Sequence, residues 1–150
     1  MLTEQAARPD LADWRRKVED LYEKIRAWTS EMEPRPTFAT EPISIIERWS
    51  GEYQLPQLLI RQGEDEMTVR PVARAVVGAE GRVDLEGLDG PFVLVLHESE
   101  PEPPFRTPKG VVIPARRTTR GWFWAEDRAP WGLIPLDGPL FRELAESCLR

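Results

Sequence analysis

The chain has 150 residues, an apolar share of 41%, six tryptophans and a net charge of −6; it fits one α+β domain with its own core and argues against disorder. The acidic balance disfavours non-specific contact with phosphate backbones. A single cysteine, Cys148, excludes an internal disulfide and a cysteine-rich zinc site.

Residues 1–9 carry no pattern and are expected to fray. From Asp10 to Met32 the sequence reads DLADWRRKVEDLYEKIRAWTSEM. Leu11, Trp14, Val18, Leu21, Ile25, Trp28 and Met32 recur at alternating steps of three and four, which predicts one apolar stripe on a helix over 10–32. Arg15, Arg16, Lys17, Glu19, Asp20, Glu23, Lys24 and Arg26 fill the other faces, with Asp10 as the expected N-cap. Pro34 and Pro36 end the run, because proline cannot continue the hydrogen-bond ladder.

Residues 37–136 form the sheet region, where the apolar period falls to two and turn residues recur. Strands are predicted at 43–49, 58–61, within 67–77 (with Pro71 marking an edge or bulge), at 82–86 and at 92–97. Two more are predicted at 111–113 and 122–124, with further apolar material at 133–135. The turns are too close together for parallel crossovers, so an antiparallel meander of about five to seven strands is expected. The proline-rich stretch SEPEPPFRTPK, 99–109, is the candidate mobile loop. Asp137-Gly138-Pro139 opens a short closing helix over 138–149, with Leu140, Phe141, Leu144, Ala145 and Cys148 on one face.

Neither a metal nor a cofactor is expected. The acidic turn around Asp65 and Glu66 lacks the spacing of a calcium loop. Cys148 reads as an inert buried thiol, and His97 at a strand end has no Gly-x-Ser-x-Gly elbow to serve. A metal-dependent hydrolase would need Asp84 and Glu98 at a common sheet edge, a placement the structure can test.

Two surfaces remain as candidates for binding. Apolar stripes ordinarily close on their own sheet. At ~1.5 Å per residue, however, this helix would be roughly 35 Å long, more than so small a domain needs. The leading expectation is therefore a non-enzymatic accessory or adaptor subunit. It would self-associate, as a homodimer, or dock on a larger protein through Leu11, Trp14, Val18, Leu21, Ile25 and Trp28. The second surface is Arg116, Arg117, Arg120 and Arg128 beside Trp122, Phe123, Trp124 and Trp131, which suits single-stranded nucleic acid, the alternative function, or a protein hot spot, against the plainer reading of a basic β-turn above core aromatics. Strand alternation puts Trp122 and Trp124 on one side and Phe123 on the other. The longest apolar run, Phe92–Leu96, is far short of the ~20 residues of a membrane span, and MLTEQAARPD is polar, so no membrane association and a cytoplasmic location are expected.

Overall fold

Periodicity fixes the first helix, α1 (Pro9–Thr29). The computed structural model describes residues 9–48, 51–74, 80–99, 104–113, 119–126 and 132–149. The helix starts one residue before Asp10, which lies inside the first turn rather than capping it. It stops three residues before the predicted end. The Thr29 hydroxyl donates to the Ile25 carbonyl at 2.7 Å, and Met32 N–H donates to the Thr29 carbonyl at 3.1 Å as the chain turns toward Pro34.

Among the described residues nine strands follow: β1 (Thr37–Glu47), β2 (Gly51–Gln62), β3 (Asp65–Ala73), β4 (Gly81–Glu86), β5 (Phe92–Ser99), β6 (Phe105–Arg106), β7 (Val112–Ile113), β8 (Thr119–Glu126) and β9 (Gly132–Pro135). Seven form one sheet in the order β1-β2-β3-β4-β5-β8-β9, every neighbouring pair antiparallel. The α+β meander expected from the turn spacing is the observed architecture. Two details differ. Val112 and Ile113 stand apart from the main sheet and pair with Phe105 and Arg106, which lie within the predicted loop, in a separate two-stranded sheet. The first strand is longer than its apolar run, because β1 and β2 pair without a break from Thr37↔Arg61 to Glu47↔Gly51. The bulge predicted from Pro71 is present between Pro71 and Ala73.

Two prolines shape the β1–β2 ribbon. Pro42 and Pro56 face one another across it, so neither supplies an N–H to the ladder. Pairing of β2 with β3 begins only at Leu58. The Pro56 carbonyl instead accepts the Tyr22 phenol of α1 at 2.6 Å. Burial raises that phenol's pKa well above its ordinary value, with the Glu19 charge adding to the effect. Beyond this point the ribbon is two-stranded and free to coil more strongly. Leu58 and Ile60 are buried on one side of Pro56, Tyr53 and Leu55 on the other, so the buried face changes parity while the register does not. The Tyr53 hydroxyl donates to the Glu47 carboxylate, which also accepts Arg74 N–H at 3.0 Å and fastens the ribbon to the end of β3.

The second helix, α2 (Gly138–Leu149), is capped by Asp137, whose carboxylate accepts Leu140 N–H at 2.8 Å. Phe141, Leu144, Ala145 and Cys148 are buried as its pattern predicts. Its Arg142 donates to the Trp28 carbonyl at 2.9 Å, setting a cation at the C-terminal end of α1. Trp28 meets Phe141 at 5.9 Å between ring centres.

One expectation is overturned here. Leu11, Trp14, Val18, Leu21 and Ile25 are at most 6% exposed, within the core of their own chain. Trp28 and Met32 are half-buried against the same core. The sheet is broad enough to receive the helix, partly because Gly81 has no side chain. A Cβ there would lie 2.4 Å from the Trp14 ring. Trp14 therefore seats on the backbone of β4 and against Trp122, at 6.1 Å between ring centres. The stripe is core, and what α1 presents to solvent is its charged residues, among them Arg15, Arg16, Glu19, Asp20, Glu23 and Lys24.

Candidate interaction surface

Register assigns each sheet residue to a face. The helices cover the face holding Leu58, Met67, Val69, Val83, Leu85, Leu94, Leu96 and Trp122. Trp122 and Trp124 share that face, as alternation predicts; Trp122 is buried and Trp124 half-buried.

The opposite face is divided. Arg70, Asp84 and Glu86, with Arg82, lie on β3 and β4. Asp84 accepts both Nε and Nη2 of Arg82 at 2.8 and 3.0 Å, and Arg70 reaches Glu86 at 3.3 Å. Asp84 raises the pKa of the Arg82 guanidinium further. Across β5, β8 and β9 the same face becomes apolar: Val93 sits opposite Ala125, Val95 opposite Phe123, and Leu133 opposite Ala125. Leu133 is 43% exposed, and Val93, Val95, Phe123 and Ala125 are half-buried. His97 closes this region, its ring edge-on to Phe123 at 5.7 Å and its Nδ1 4.0 Å from Glu80. The apolar strip was hidden in the sequence. Its members are separated by up to 40 positions and only the antiparallel register unites them, although Phe123 was singled out by alternation.

The hydrolase arrangement does not form. Asp84 pairs with Val93, and Glu98 is five residues further along β5, ~17 Å away at the usual rise. The odd difference also puts Glu98 on the helix-covered side. There it binds Lys17, which also bridges to Asp13 at 3.0 Å. Partial burial lowers the Lys17 pKa, but the Glu98 and Asp13 carboxylates outweigh it and hold the amine above its ordinary value. Among the described residues, no group of three or more His, Cys, Asp or Glu is placed to hold a metal. The Cys148 thiol is buried and its pKa raised to about 11, by burial first and the Asp89 charge second.

Of the nucleic-acid patch, Arg116, Arg117, Arg128 and Trp131 lie outside the described residues. Arg120 is exposed on β8 and Phe123 lies on the open face. Trp122 is sealed against Trp14 and cannot stack on a base, which removes one aromatic from the expected platform. No described helix is long and apolar enough to cross a membrane. Comparison with protein families, curated proteins and solved structures found no match.

Proposed function

We propose that this chain is a non-enzymatic protein–protein interaction module, and that the surface it uses is the open sheet face rather than the α1 stripe. The observation that carries this reading is the apolar strip Val93, Val95, Phe123, Ala125 and Leu133 beside a row of internally neutralised ion pairs. An apolar centre with a polar flank is the usual anatomy of a protein interface. Three of the residues weighed for catalysis are engaged elsewhere: Asp84 with Arg82, Glu98 with Lys17, and Cys148 as a buried thiol.

The occupant proposed is a second copy of the chain. Around a two-fold axis the same strip meets itself, and the ion-paired half needs no foreign charge to complete it. Size sets the strength. Three strands ~4.8 Å apart and about five residues long present a few hundred Å², against roughly 800 Å² per partner in a stable complex. The dimer therefore extends onto the β3–β4 half and is weak.

Sedimentation and light scattering across concentrations up to about 1 mM, the dissociation constant at which binding is worth only ~4 kcal/mol, test this. Mass should rise from 17.2 kDa toward its double, and Phe123→Asp or Leu133→Asp should hold the chain monomeric with an unchanged melting temperature. A wild type that stays monomeric throughout that range refutes self-association.

A further inference from the structure

A cleft of about 320 Å³ opens between the start of β5 and the end of β8. Residues 90–93 and 124–126 line it, and alternation puts Phe92, Trp124 and Glu126 on the helix-covered face of the sheet, Val93 and Ala125 on the other. Phe92 and Trp124 stand at 86° to one another with 6.2 Å between ring centres, which makes a right-angled aromatic corner. Among the described residues nothing engages the Glu126 carboxylate by hydrogen bond or ion pair, although the residue is half-buried.

We infer that this cleft receives the arginine side chain of a partner polypeptide. Aromatic faces carry a negative quadrupole and attract a cation placed over them. A guanidinium is flat, weakly hydrated and able to stack on an indole while its N–H groups reach a carboxylate. A quaternary ammonium has no N–H to give Glu126 and is held by a closed cage of rings, whereas this corner has two walls and an open mouth. The combination of one indole, one phenyl and one unused carboxylate selects the guanidinium. Val93 and Ala125 of the strip proposed for self-association also border the cleft, but Phe123 and Leu133, whose variants test that dimer, do not, and Glu126 is no part of the strip, so the two tests read different residues.

The test is a titration of the full chain with N-acetyl-arginine amide, followed by the indole N–H resonance of Trp124, which is assigned by its loss in Trp124→Leu. The resonance should move saturably. The neutral isostere N-acetyl-citrulline amide should bind about tenfold more weakly, and Glu126→Gln should weaken the arginine derivative by about the same factor. Glu126→Gln keeps the shape of the rim and should leave the melting temperature unchanged, so its effect reads the charge alone. Equal binding of arginine and citrulline derivatives, tighter binding of choline than of arginine, or no saturable shift would each overturn the assignment.

Discussion

Gly81→Ala tests whether α1 is seated as described. The new methyl would lie 2.4 Å from Cζ3 and 2.7 Å from Cη2 of Trp14, both far inside van der Waals contact. Because the ring is held between β4 and Trp122, at 6.1 Å between ring centres, it has little room to retreat. Overpacking of this kind costs about 1–3 kcal/mol. Trp14→Leu, which empties the same seat, should cost about 2–4 kcal/mol, somewhat less than full truncation to alanine. If the clash is the reason Gly81→Ala is harmful, removing the ring relieves it. The double variant should then be more stable than the sum of the single losses by about 1–2 kcal/mol. Urea unfolding of the four proteins followed by far-ultraviolet circular dichroism gives the cycle. At this chain length each kcal/mol corresponds to roughly 2–4 °C in melting temperature, an independent check. Additivity within about 0.5 kcal/mol, or a Gly81→Ala protein as stable as wild type, would mean that the indole does not rest on β4.

Other consequences are quickly measured. Leu21→Asp and Ile25→Asp should unfold or aggregate the protein, since both positions are fully buried and an unpaired carboxylate there costs several kcal/mol; a soluble, folded monomer would contradict the core assignment. Tyr22→Phe leaves the Pro56 carbonyl without its donor and should lower stability by about 1–2 kcal/mol in a urea titration, whereas no change would show that water replaces the phenol. Cys148 should resist thiol reagents at pH 8. A pKa near 11 in place of 9.0 leaves about a hundredfold less thiolate before burial slows access further. The raised value also means the thiol's contribution to stability is present below pH 9 and lost as pH rises toward 11. Labelling at the rate of a free thiol in the folded protein would refute this.

Local pattern and tertiary context divide cleanly in this chain. The three-four spacing from Leu11 to Ile25 determines a helix with one apolar face, because that face is a property of 3.6 residues per turn and nothing else. Turn spacing likewise determines an antiparallel meander, and Asp137-Gly138-Pro139 determines where α2 begins, since capping and proline chemistry act over a single turn. What covers the stripe is not a local property. It depends on a glycine 67 residues after Trp14 offering bare backbone, and on Pro56 releasing a carbonyl for Tyr22 to claim. The faces of the sheet follow the same rule. Parity alone separates Trp122 and Trp124 from Phe123, but which side the helices take, and whether Asp84 ever meets Glu98, is decided by the register Asp84↔Val93. Side-chain period is written along one strand; contact between strands is set by hydrogen bonds that join residues distant in sequence, and those form only when the sheet assembles.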